Sequence, residues 1–259
     1  MEISLEILAL LFLAGTTAGF IDAIAGGGGM ISVPALLAAG VPPAQALATN
    51  KLQSSFGSFS ATLYFVRNGH VSLKQLRYAI FFTFCGATAG ASLVQSIDAT
   101  VLTSLIPVML IGISLYFLFS PSAAPSKAKM TDLVFAVLVG FSIGFYDGFF
   151  GPGTGSLFAV CFITLAGCTI VEATARTKVL NFTSNISALL LFVVAGLPVW
   201  KIGLSMAVGQ FIGARLGAKV VVTKGQKWIR PLVVIMSMAM AIKLLWQAHS
   251  DWFLSVLPF

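Results

Sequence analysis

The sequence predicts an all-α polytopic membrane protein built from two inverted-topology repeats of about five hydrophobic segments each, with glycine-broken short helices. Three observations carry that expectation. Of 259 residues, 58% are hydrophobic and only 9% charged, against roughly 25% charged in an ordinary soluble domain, so ionised side chains are too few to cover a water-soluble globule. Apolar runs at or near the ~20 residues that cross a bilayer core recur from end to end. They lack the alternation of barrel strands, and only helices and closed barrels satisfy every backbone group in lipid. Lastly, motifs of the first half return in the second.

The first segment, near 5–25, follows an acidic start, Met1-Glu2-Ile3-Ser4-Leu5-Glu6, without the basic region and cleavage site of a secretory signal, and so should be retained. It runs into Asp22-Ala23-Ile24-Ala25-Gly26-Gly27-Gly28-Gly29. Each of these glycines disfavours helix by about 1 kcal/mol relative to alanine, so the backbone should open. A short segment near 30–39 follows, with Pro34 suited to its first turn, where a missing N–H has no helical partner anyway. Longer segments lie near 43–66, 76–94 and 99–119. A Pro/Ser-rich polar linker at 120–130 then separates the first repeat (1–119) from the second (131–259). The second series falls near 131–149, 155–166, 170–194, 201–222 and 228–247, with its own break at Asp147-Gly148-Phe149-Phe150-Gly151-Pro152-Gly153-Thr154-Gly155. Trp200, Trp228, Trp246 and Trp252 stand near segment ends, where an aromatic belt would place them.

Gly19-Phe20-Ile21-Asp22 matches Gly144-Phe145-Tyr146-Asp147 at a constant offset. After a two-residue shift, Ala46, Ala48, Lys51, Ser60, Phe65 and Lys74 match Ala173, Ala175, Lys178, Ser187, Phe192 and Lys201. Loop charges set the orientation. In the first half, Arg67, Lys74 and Arg77 crowd the loop at 67–77 while that at 95–100 holds only Asp98; in the second, Lys201 stands alone and Lys219, Lys224, Lys227 and Arg230 crowd the later loop. Because cationic loops stay inside, equivalent loops face opposite sides, as in inverted repeats. The linker is then cytoplasmic and both termini periplasmic in a bacterial inner membrane. The formal charge of +7 therefore reads as topology and an anionic substrate, with membrane lipid rather than nucleic acid as the surrounding partner. Cys85, Cys161 and Cys168 have no metal-ligand spacing, so neither a metal, a redox centre nor a cofactor is expected.

Two features could carry chemistry. Open backbone leading into a helix amino terminus presents N–H groups to an anion, which nominates Gly27, Gly28, Gly153 and Thr154; the competing reading is close helix packing. No strand precedes the glycines and no Gly-Lys-Ser/Thr follows, so a nucleotide loop is disfavoured. The long segment after each break carries a polar stripe: Lys51 with Asn50, Ser54, Ser55, Ser58 and Thr62, then Lys178 with Asn181 and Asn185. Eight residues past Pro43, Lys51 lies ~12 Å into a ~30 Å layer, where an ammonium needs a cavity or a partner. Lys51 and Lys178 are thus the expected anion ligands, unless they snorkel or pair with carboxylates to fix packing. Asp22 and Asp147 could accept protons for coupling, pair with the lysines or cap the breaks. Arg176 and Arg215 are candidates for coupling or for supporting the site.

The paired breaks, Ala48-Thr49-Asn50-Lys51-Leu52-Gln53 with Ser54-Ser55-Phe56-Gly57-Ser58, and Arg176-Thr177-Lys178-Val179-Leu180-Asn181-Phe182 resemble the sulfite exporter TauE/SafE family of bacterial transporters over essentially the whole chain. The Asn-Lys and Arg-Thr-Lys forms resemble a broad subgroup of membrane transporters within it. The resemblance implies movement of sulfite, sulfoacetate or related sulfur-containing anions across the inner membrane. Pro152 and Thr154, interposed in the second break, depart from the glycine-dense first, so the half-sites need not be equivalent. The expectation is a secondary transporter, not an enzyme, working by alternating access with a proton or another ion coupled. A passive anion channel is the rival. An intramembrane aspartyl protease using Asp22 and Asp147 is the weaker one, because the second aspartate lacks a Gly-x-Gly-Asp context. Oligomeric state is not legible.

Overall fold

A computed structural model describes residues 4–119 and 127–224, and among these the secondary structure is entirely helical. The first half holds α1 (Leu5–Ala25), α2 (Gly29–Ala38), α3 (Pro43–Arg67), α4 (Arg77–Gln95) and α5 (Ala99–Phe119). In the second, α6 (Asp132–Phe135), a π-helical turn (Ala136–Gly140) and α7 (Phe141–Phe149) form one continuous span, followed by α8 (Thr154–Thr164), α9 (Ile170–Val194) and α10 (Trp200–Lys224). Nine of the ten expected segments appear within a few residues of their sequence bounds. The tenth, near 228–247, lies outside the described residues, as do Trp228, Trp246, Trp252 and the carboxy terminus.

Local chemistry explains the ends. Ser4 caps α1 by accepting the Ile7 N–H, and Thr169 and Glu172 form a reciprocal capping box at the start of α9. Among the described residues, five spans are long and apolar enough to cross a membrane: Leu5–Ala25, Arg77–Gln95, Ala99–Tyr116, Asp132–Phe149 and Ile170–Val194. Helix α3 has comparable length but is more polar, and most of its polar positions are buried among other helices rather than turned to lipid.

Two expectations about the first break need correction. Gly28 already has helical angles (φ −57°, ψ −42°) and α2 begins at Gly29, so the opening is confined to the residues around left-handed Gly26 (φ 75°) and Gly27. A glycine tolerates helix as well as left-handed backbone, so its propensity cost does not keep the later glycines unwound once packing favours the turn. Pro34 consequently sits inside α2 rather than in its first turn.

Helices α3 and α9 pack against one another at the centre, with α1 laid along α10 and α4 along α7 and α9. The partnership is reciprocal: the first helix of each half lies against the fourth of the other. Glycines make both seams. A Cβ on Gly15, Gly19 or Gly213 would stand 2.7, 2.4 or 2.0 Å from a backbone oxygen across the α1/α10 seam, and one on Gly86, Gly90 or Gly148 would stand 2.2, 2.0 or 2.0 Å from one across α4/α7. Without water to expel, helices in lipid associate through close packing, and four-residue spacing of glycines permits it. Apolar clusters fill the remainder. One joins Val33, Leu47, Leu102, Ile106, Leu110 and Phe192, securing α5, while another joins Phe135, Phe158, Phe162, Val179 and Leu180.

Candidate functional site

The breaks cross each other at the middle of the bundle. Gly26 is left-handed, and a Cβ there would lie 2.2 Å from the Gly155 carbonyl carbon; one on Gly155 would lie 2.5 Å from Gly26 Cα. No other residue type fits at this crossing, where two backbones touch directly.

Against this crossing stand two ion pairs, each spanning the halves. Lys51 Nζ on α3 lies 2.7 Å from Asp147 Oδ1 at the end of α7, and Lys178 Nζ on α9 lies 2.8 Å from Asp22 Oδ2 at the end of α1. Both lysine side chains are only 1% exposed. The sequence put both at mid-membrane, and both are indeed buried, but each donates to a carboxylate of the other half. Four charges therefore sum to zero, as burial of ions in low dielectric demands.

The pairs differ in their surroundings. Asp147 Oδ1 also accepts from Thr154 Oγ1 at 3.1 Å, and its Oδ2 accepts from Ser184 Oγ. The Asp147 side chain is 4% exposed and its carboxylate accepts from three donors. Asp22 accepts from Gly28 N–H at 3.3 Å, its own backbone carbonyl accepts from Lys178, and its side chain is 17% exposed. The Lys178 ammonium thus sits on the carboxyl end of α1, where the helix dipole favours a cation. Gly151, left-handed at φ 97°, makes room for Lys51: a Cβ there would stand 2.7 Å from Nζ.

Between the pairs is a polar cavity of about 20 Å³, lined by Asp22, Asn50, Ser54, Asp147, Asn181 and Asn185 with Gly26, Gly29, Gly151, Thr154 and Gly155. Its volume suits about one water molecule, less than a four-atom oxyanion occupies. Seven of the nominated residues, Asn50, Ser54, Thr154, Asn181, Asn185, Asp22 and Asp147, converge on it. Gly27, Gly28 and Gly153 are buried beside it, and the Gly28 N–H is directed to Asp22. Along the α3 stripe Asn50 and Ser54 reach the cavity; Ser55 and Ser58 turn their hydroxyls back onto the carbonyls of Lys51 and Ser54.

The amides of the halves are also unequal. Asn50 Oδ1 accepts from Ser32 at 2.6 Å and Gln53 at 3.3 Å. Asn181, 4% exposed, has an Oδ1 with no hydrogen-bond partner, a costly state for a buried polar atom. The arginines stand apart. Arg215 is exposed on α10, and Arg176 lines a separate cavity of about 220 Å³ with Gln75, Leu76, Tyr78, Ala79, Asp132, Phe135, Phe162 and Ala166. The sequence offered lysine–aspartate pairing as one alternative but not its crossed connectivity between the halves, and the glycine seams went unread. The signal for the seams was there, in Gly15/Gly19, Gly86/Gly90 and Gly209/Gly213/Gly217 at four-residue spacing. No His/Cys/Asp/Glu group able to hold a metal ion occurs among the described residues.

A profile of the family described as Sulfite exporter TauE/SafE matches residues 11–244. The chain is 50% identical over 247 residues to "Probable membrane transporter protein YfcA" of Escherichia coli (strain K12), covering 95% of this chain and 92% of that one. It is 47% identical over 255 residues to a "Probable membrane transporter protein" of Haemophilus influenzae, covering 98% and 99%. A more distant likeness, 25% over 219 residues, joins it to "Probable membrane transporter protein YdhB" of Bacillus subtilis, covering 82% and 88%.

Proposed function

We propose, from the premise that this chain belongs to the sulfite exporter TauE/SafE family of membrane transporters, that it is a secondary transporter coupling a small oxyanion to protons. Sulfite or an organosulfonate such as sulfoacetate is the substrate in this reading. The observation that carries it is the pair of buried lysine–aspartate bridges flanking one polar cavity. With each lysine matched by a carboxylate, the site is electrically neutral and has no net attraction for an anion. Protonating Asp22, the more exposed carboxylate, removes that balance and leaves the Lys178 ammonium uncompensated in low dielectric, where an anion is the natural replacement. Proton and anion therefore enter and leave together. Asn50, Ser54, Asn181, Asn185 and Thr154 supply hydrogen bonds to the anion's oxygens, with Asn181 presenting its amide N–H in place of its orphaned oxygen.

Alternating access supplies the motion. The two halves repeat one order of elements and exchange contacts reciprocally, α1 with α10 and α7 with α4, which suits inverted repeats rocking about the glycine crossing in the bacterial inner membrane, termini outward. The cavity's small volume fits an occluded stage rather than a continuous anion pore.

Proteoliposome flux of labelled sulfite and sulfoacetate tests this. Wild type should accumulate anion against its gradient when a pH gradient is imposed. Asp22→Asn, which mimics the protonated carboxyl, should exchange anion for anion with no response to that gradient. Gradient-driven accumulation by Asp22→Asn equal to wild type refutes the coupling scheme.

A further inference from the structure

The larger cavity is unused by the transport scheme, although its walls hold a cation. Arg176, half-buried on the second turn of α9, makes no ion pair among the described residues. Its neighbour Glu172 is engaged in the capping box with Thr169. Gln75 and Tyr78 line the same space, and the Tyr78 hydroxyl accepts from Arg77 at 2.9 Å. Lys129 approaches the rim, donating its backbone N–H to Leu165 beside the lining residue Ala166. Among the lining residues Arg176 carries the positive charge and Asp132 a negative one, with Glu172 one turn before Arg176 on α9.

The geometry links this cavity to the central one. On α8, Thr154 lines the central cavity and Phe162, eight residues on, lines the larger one, a rise of ~12 Å. On α9, Asn181 and Arg176 make the same connection over ~7.5 Å. Between them stands an aromatic barrier: Phe162 stacks on Phe135 at 4.6 Å, with fully buried Phe158 at 6.5 Å behind. The position equivalent to Arg176 in the first half is Thr49. There the corresponding space is filled by Leu11, Leu36, Val41, Ala46, Ile202 and Met206, and the Thr49 hydroxyl accepts the Val199 N–H. Among the described residues this cavity lies at the end of the bundle that bears Gln75 and Asp132.

We propose that this cavity is a second anion site, an antechamber in which Arg176 captures a small sulfonate- or carboxylate-bearing anion before it passes the Phe158/Phe162 barrier. The guanidinium offers paired donors to two oxygens of one such group. The inference rests on the transport reading for its destination, while the binding step stands alone. Ala166→Cys, in a full-length chain with Cys85, Cys161 and Cys168 changed to Ser, should be labelled by a fluorescent maleimide, and sulfoacetate or methanesulfonate should slow that labelling in a saturable way. Arg176→Gln should abolish the protection and Arg176→Lys retain part of it. In sided flux, Arg176→Gln should raise the KM about 5–10-fold from the antechamber face and leave the KM from the other face unchanged. Absence of protection by either anion, protection indifferent to Arg176→Gln, or an equal KM rise from both faces overturns the proposal. Asn181→Ala separates the two ideas: it should abolish flux from both faces yet leave the protection at position 166 intact.

Discussion

Replacing Asp147 by asparagine should destabilise the protein by about 3–5 kcal/mol, the usual cost of stranding one member of a buried ion pair. The contact is 2.7 Å long, and at an effective dielectric near 20 two unit charges at that distance attract by about 6 kcal/mol. Asparagine preserves the shape but keeps a single acceptor oxygen where Thr154 and Ser184 donate to two, so the charge disappears together with one of those acceptors. Lys51, 1% exposed, cannot reach water to compensate. Changing both partners, Lys51→Met with Asp147→Leu, removes the stranded charge and should recover most of the loss, ending within about 2 kcal/mol of wild type. Equilibrium unfolding of the purified protein in mixed micelles measures both. For a chain of this size, 1 kcal/mol corresponds to about 2–4 °C in Tm, so the single variant should melt roughly 6–20 °C lower. A single variant within about 1 kcal/mol of wild type, or a double no better than the single, refutes the view that this pair holds the halves together.

Three further outcomes follow. Gly148→Ala places a methyl 2.0 Å from the Ala87 carbonyl oxygen and should cost about 1–3 kcal/mol by forcing α4 and α7 apart, whereas Gly112→Ala, with nothing within 4 Å, should be neutral or stabilising by up to about 1 kcal/mol; equal melting temperatures for the two would contradict the seam. Thr169→Ala removes the α9 capping box and should cost about 0.5–2 kcal/mol, measured by the same unfolding. Burial pushes the Cys168 thiol up, with Arg176 opposing and Glu172 and Asp132 adding. Thiolate forms at higher pH, so alkylation of Cys168, in a chain whose other cysteines are serine, should have its midpoint above the ordinary ~8.5. A midpoint below that value would mean that Arg176 dominates.

Hydropathy is a local signal, and what it reports was legible. The expected segments at 43–66 and 170–194 became Pro43–Arg67 and Ile170–Val194, the first opened by a proline in its first turn and the second by the Thr169/Glu172 capping box. The polar stripe likewise delivered Asn50, Ser54, Asn181 and Asn185 to the cavity, since helical spacing decides which residues share a face. Which aspartate each lysine takes was not legible: the partners lie 96 and 156 residues away, and no periodicity spans such a distance. The π-turn at Ala136–Gly140 also left no trace in the hydrophobic pattern. At the glycine breaks, composition indicated a special backbone but not its purpose. Gly151 gives space to a lysine, and Gly26 and Gly155 let two chains cross.

The crossed ion pairs also constrain how the protein is made. Asp22 and Lys51 enter the membrane with the first half, long before Asp147 and Lys178 exist. At about 5–20 residues per second, Lys51 waits about 5–20 s for its partner 96 residues on, and Asp22 waits about 8–30 s for one 156 residues on. During that interval the nascent first half can neutralise the two charges only against each other or within the hydrated interior of the insertion machinery. Native pairing is thus an exchange completed after insertion, and a truncated chain ending before residue 147 would keep a charged, adhesive face that quality-control proteases could recognise.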